Sequence, residues 1–125
     1  VYMRLNDDAL AEDSFRRALQ INPRDAEAQH HYGLFYCEKA RYVEADRLFE
    51  QALASPTYKN RPRTLLVQGV CLLRAGKLPE AEAALARAYE FDPANPIAAY
   101  NLASLKHRRG DSQGAQFIIR RVNNS

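Results

Sequence analysis

A chain of 125 residues, 46% of them hydrophobic and 26% charged, has the length of one ordinary domain and ample material for a core. Its net charge of +3 is too small to imply nucleic acid by itself. It contains no apolar run of the roughly 18 residues that a membrane span requires.

Helical stretches alternate with short turns, and no segment shows the strict alternation of a strand. The first helix is expected near Asp8–Ile21, ended by Asn22-Pro23. Asp25 is a suitable N-cap for a second, running to about Lys39. A third covers Val43–Ala54 and stops at Ser55-Pro56. The fourth runs from about Arg63 to Arg74, before Gly76, which suits a left-handed cap. Pro79 fits the first turn of a fifth helix that ends before Asp92-Pro93. Asn95-Pro96 opens the sixth, which reaches Gly110, and the seventh spans Ser112–Val122.

The strongest feature is repetition. Ala11, Phe15 and Ala18 return 34 positions on as Ala45, Phe49 and Ala52. They return again as Ala81, Leu85 and Ala88, 36 on, and as Ala115, Ile119 and Val122, a further 34 on. A small-large-small pattern at i, i+4, i+7 lies on one helix face. At this period it marks one helix of a hairpin unit that buries its apolar face only by stacking on a neighbour. The expected fold is all-α, a solenoid of about three and a half helical hairpins in one domain over 1–125, with a partial unit 1–24 and units 25–58, 61–94 and 95–125. Tyr2 precedes Tyr36 by 34 residues, so Val1 falls in mid-repeat and the chain is expected to be a piece of a longer protein. A leader or lipid anchor would then lie upstream. The extra two residues between the second and third units fall in Ser55–Pro62, where Tyr58 and Arg61 are candidate loop contacts.

Stacked hairpins present a groove, and the resemblance of this repetition to the tetratricopeptide repeat implies that the first helix of each unit lines it. Unit 25–58 would contribute Glu27, His30, Leu34, Cys37 and Glu38. The next would contribute Arg63, Leu66, Val70, Leu73 and Arg74, and the last Ile97, Tyr100, Ser104, His107 and Arg108. Apolar anchors with a charged rim suit an amphipathic or extended protein segment. The partner-binding residues are therefore expected to be Arg63, Leu66, Val70, Leu73, Arg74, Tyr100 and Arg108. Leu and Val in mid-groove argue against a carboxylate clamp of the kind that holds chaperone C-termini. From Lys106 to Arg121 five basic residues face Asp111 alone, the one feature that would suit a nucleic-acid module.

The aligned positions resemble the tetratricopeptide repeat. Tyr32, Gly33, Tyr36, Ala45, Phe49, Ala52 and Pro56 match in one unit, and Gly69, Leu72, Ala81, Leu85, Ala88 and Pro93 in the next. In the last, Leu102, Ala103, Ala115 and Ile119 fit, with Lys106 in place of the usual aromatic. The resemblance implies a right-handed superhelical stack that binds protein. A narrower one lies in Tyr32-Gly33-Leu34-Phe35-Tyr36-Cys37, in Ala52-Leu53-Ala54-Ser55-Pro56-Thr57-Tyr58 and in Gly69-Val70-Cys71. These strings look like the pilotin family of type IV pilus biogenesis lipoproteins (PilF/PilW-type), which usually carries Trp at the position of Leu34. That resemblance implies a periplasmic protein anchored to the outer membrane through a segment outside this chain, with the secretin or other pilus machinery as partner. A cytoplasmic adaptor, a nucleic-acid-associated module and an accessory domain of an enzyme are the alternatives.

Little else suggests chemistry. Cys37 and Cys71, the only cysteines, sit at near-equivalent heights on first helices of adjacent units. They are either a bridge, with Gly33 and Gly69 letting the helices approach, or two buried thiols; the oxidising compartment implied by the resemblance brings the bridge level with the thiols. His30 and His31 point about 100° apart on a helix and cannot easily share a metal. Glu44, Glu80 and Glu82 read as solvated faces. No nucleophile–His–acid grouping or phosphate loop stands out, so neither catalysis, nor a metal or cofactor, nor a small-molecule substrate is expected.

Overall fold

A computed structural model describes residues 2–124, with side chains from Asp7 onward, so Val1, Ser125 and the side chain of Tyr2 lie outside the described residues. Among them are seven α-helices and no strand. The chain divides into two compact units, Val1–Lys59 and Asn60–Ser125.

The first unit holds α1 (Tyr2–Ile21), α2 (Ala26–Glu38) and α3 (Tyr42–Leu53). Helix α1 starts before the expected Asp8. Asp25 caps α2, its carboxylate accepting from the Ala28 amide at 3.2 Å. After α2 the chain turns through Ala40 at φ 59°, with the Arg41 amide donating back to the Tyr36 carbonyl at 2.9 Å. That geometry is a left-handed helix stop on a residue whose Cβ disfavours it. Ala45, Phe49 and Ala52 are fully buried. Gly33 is what lets α2 meet α3, since a Cβ there would lie 2.6 Å from Phe49 Cε1. On the α1 side, Phe15 stacks on Tyr32 at 5.2 Å and Tyr32 on Tyr36 at 4.6 Å, their two hydroxyls 2.8 Å apart. The Arg41 guanidinium lies 4.6 Å from the Tyr36 ring centre. Burial and the Tyr32 hydroxyl push the Tyr36 phenol up to about 12.

The second unit holds α4 (Arg61–Arg74), α5 (Leu78–Phe91), α6 (Pro96–Arg108) and α7 (Ser112–Asn123). Helix α4 begins two residues before the expected Arg63, because Pro62 lies in its first turn, where a missing N–H costs no hydrogen bond. Gly76 (φ 78°) and Gly110 (φ 92°) hold the left-handed positions after α4 and α6. Asn95 caps α6, accepting from the Ile97 and Ala98 amides at 2.9 and 3.3 Å. The core joins Leu72, Ala81, Leu85, Leu102, Ala115 and Ile118. Here the expected register differs by one residue. Ile118, not Ile119, is the buried large residue of α7, and Ile119 stays 36% exposed. The physical reason is coverage: Leu85, its counterpart, lies on α5, which packs against both α4 and α6, whereas within this unit α7 packs on α6.

Candidate protein-binding face

On α4, residues Arg63, Leu66, Val70, Leu73 and Arg74 fall within one face by helical periodicity. Arg63 and Arg74 are exposed, three turns apart, and Leu66, Val70 and Leu73 between them are half-buried. Leu66 and Leu73 pack against the core of the second unit, so they form a floor more than projecting anchors. On α6 the same spacing brings Ile97 (52% exposed) and Tyr100 (46%) to the surface. The Tyr100 hydroxyl donates to Asn123 Oδ1 near the end of α7. That bond fixes the ring at the mouth of a 460 Å³ cleft between α6 and α7, lined also by Ala103, Ser104, His107 and Ile119. Arg108 is exposed and borders a different hollow, 360 Å³ between the start of α5 and the end of α6. Tyr100 and Arg108, expected on one groove, thus open onto two.

Several expectations change in the first unit. His30 and Cys37 are buried, at 1% and 3% exposure, and of the five residues expected to line the groove there only Glu27, Leu34 and Glu38 reach the surface. The His30 ring is taken into the core beside Phe49, 6.1 Å between centroids. Tyr58, expected as a loop contact, is 8% exposed and packs with Ala26 and Ala52. The two added residues give the loop the slack to fold that ring inward, so Tyr58 serves the core. Arg61 is half-buried as the first residue of α4. Cys37 and Cys71 are both buried, on α2 and α4.

Glu82, read from sequence as a solvated residue, is half-buried and accepts a two-pronged ion pair from Arg109: Nε to Oε1 at 2.8 Å and Nη2 to Oε2 at 2.9 Å. The guanidinium holds the Glu82 carboxyl below the usual carboxylate range. Sequence offers no signal for a partner 27 residues away on another helix. Among the described residues no group of three His, Cys, Asp or Glu is placed to hold a metal ion.

Family models for the tetratricopeptide repeat match residues 1–25, 36–96 and 72–125. The chain is 27% identical over 99 residues to the type IV pilus assembly protein PilF of Pseudomonas aeruginosa, covering 79% of this chain and 39% of that protein. It is similar to the crystal structure of PilW, described as a widely conserved type IV pilus biogenesis factor, with a TM-score of 0.78 and 35% identity. That match covers 98% of this chain and 56% of the other, so the chain spans between 39% and 56% of the length of these relatives. The solved structure of Pseudomonas aeruginosa PilF shares the fold, with a TM-score of 0.85 at 24% identity over 93% of this chain and 52% of that one.

Proposed function

We propose that this chain, which belongs to the tetratricopeptide-repeat family and is homologous to the PilF/PilW type IV pilus biogenesis proteins, is a non-catalytic scaffold that holds a segment of the pilus machinery. The partner is the outer-membrane secretin, and the activity is pilotin-like: assembly or stabilisation of the secretin pore. The protein works on the periplasmic side of the outer membrane, held there by a lipid anchor outside this chain.

The observation that carries the reading is the α4 face, a half-buried apolar floor between two exposed arginines. Exposed apolar surface rimmed by charge is where proteins dock peptides and helices. Tyr100 adds an aromatic group already ordered by Asn123, which lowers the entropy lost on binding. We also propose that Cys37 and Cys71 are bonded, a reading supported by the burial of both and by the lack of a free cysteine among the described residues.

The test is a pull-down of the secretin by the Arg63→Ala/Tyr100→Ala double variant, with circular dichroism as the control for folding. Loss of capture with the fold intact is the expected result. Capture that survives the double change, and is lost with Arg61→Ala, moves the site to the inserted loop and overturns the assignment.

A further inference from the structure

The hollow between α5 and α6 has a chemistry of its own. Its floor and walls are Leu78, Pro79 and Leu105, with Leu105 only 4% exposed and Leu78 37% exposed. At 360 Å³ it lies at the low end of the range of about 300–1,000 Å³ for ligand sites, room for one or two side chains. Three charged groups border it: Glu82, Arg108 and Arg109. Glu82 and Arg109 satisfy each other through both carboxylate oxygens, and Asp111 stands 3.8 Å from the same guanidinium. Arg108 has no ion-pair partner among the described residues. The uncompensated charge at the mouth of this apolar hollow is therefore a single arginine. The surrounding unit has the same sign, with ten Lys and Arg against five Asp and Glu, whereas the first unit has eight against ten.

From this complementarity we propose that the α5–α6 hollow is a socket for an apolar side chain carried on an acidic segment of a partner protein, with a neighbouring carboxylate of that segment on Arg108. A cationic segment would meet Arg108 and gain nothing from Glu82, whose oxygens are already engaged. A small polar ligand would find one free donor group and otherwise hydrocarbon. An apolar anchor beside a carboxylate uses both features. Arginine is well suited to the second, since its planar fork takes a carboxylate by two hydrogen bonds. The inference rests on the scaffold reading only in taking a protein as the partner.

Three labelled octapeptides test it by fluorescence anisotropy on the whole protein: an acidic peptide with a central Leu-Phe pair, the same peptide with Ser-Ser at its centre, and a lysine peptide with Leu-Phe. The first should bind, and each of the other two should bind at least about tenfold more weakly, equivalent to about 1.4 kcal/mol. Arg108→Glu and Leu78→Asp should each weaken the first peptide by a similar factor with unchanged thermal melts, and Arg108→Lys should retain part of the affinity. Equal binding of the Ser-Ser peptide would reduce the site to general charge attraction and overturn the socket. So would equal binding of the lysine peptide, unaltered binding by both folded variants, or no binding of the first peptide at about 1 mM. The titration contains no pilus component, and Arg63→Ala/Tyr100→Ala should leave it unchanged, so its failure and a failed secretin pull-down are separate results.

Discussion

Replacing Gly33 by Ala tests the α2–α3 packing, because two known effects of opposite sign meet there. Alanine is the better helix former by about 1 kcal/mol, so on an open helix face the change would stabilise. Here the new Cβ would lie 2.6 Å from Phe49 Cε1, 2.8 Å from Cδ1 and 3.0 Å from Cζ. Carbon atoms in ordinary contact stand about 3.5–4.0 Å apart, so the overlap is close to 1 Å. Phe49 is fully buried, with Ala45 and Ala52 buried on the same helix, so the ring has little room to yield. Overpacking of this kind costs about 1–3 kcal/mol, which after the propensity gain leaves about 0–2 kcal/mol of net destabilisation. Urea unfolding followed by far-ultraviolet circular dichroism measures it. The decisive arm is the Phe49→Ala background, which itself costs about 3–5 kcal/mol. With the ring gone, Gly33→Ala should instead stabilise by about 1 kcal/mol, a coupling of about 1–3 kcal/mol between the two sites. If Gly33→Ala stabilises the wild-type protein by about 1 kcal/mol, Phe49 is not seated on Gly33 and the repeat register is wrong.

Ala40 occupies the left-handed position that Gly76 and Gly110 occupy after α4 and α6. Ala40→Gly should therefore stabilise by about 0.5–1 kcal/mol in the same unfolding assay, and Gly76→Ala should destabilise by about 1 kcal/mol. Non-reducing intact-mass analysis after thiol alkylation should find no alkylated cysteine; closing the loop between Cys37 and Cys71 is worth roughly 3–4 kcal/mol in the chain-entropy model, and two alkylated thiols without reductant would refute the bridge. Because Arg109 depresses Glu82, the carboxylate contributes full stability above its unfolded value of about 4.3 and loses it as pH falls through the lower folded value. Acid titration of stability should accordingly show a smaller loss below about pH 4 in Glu82→Gln than in the wild type, measured by thermal melts across pH.

Periodicity located the seven helices because each buries a face whose spacing is written locally, and Gly76, Asp25 and Asn95 mark their ends by conformations or caps that depend on one residue. Ala40 escaped that reading since alanine carries no left-handed preference; only the chain reversal around it demands the turn. The α4 stripe was readable for the same reason as the helices. What lay beyond sequence was which residues share a hollow. Tyr100 and Arg108 are on one face by spacing, yet the neighbours α7 and α5 divide the surface around them. Tyr58 and Glu82 carry no periodic signal of burial, because their partners, Ala26 and Arg109, come from distant parts of the chain.

Within each unit the helices that pack are those adjacent in the chain: α1 on α2, α2 on α3, then α4 on α5, α5 on α6 and α6 on α7. Every such contact closes a loop of a few residues, so little chain entropy is lost before packing repays it. Chains dominated by local contacts fold in microseconds to milliseconds. Either unit can thus acquire its structure without waiting for the other. A segment built this way can emerge from synthesis or from a membrane channel one hairpin at a time, leaving only a short stretch of unpaired apolar face open to aggregation at any moment.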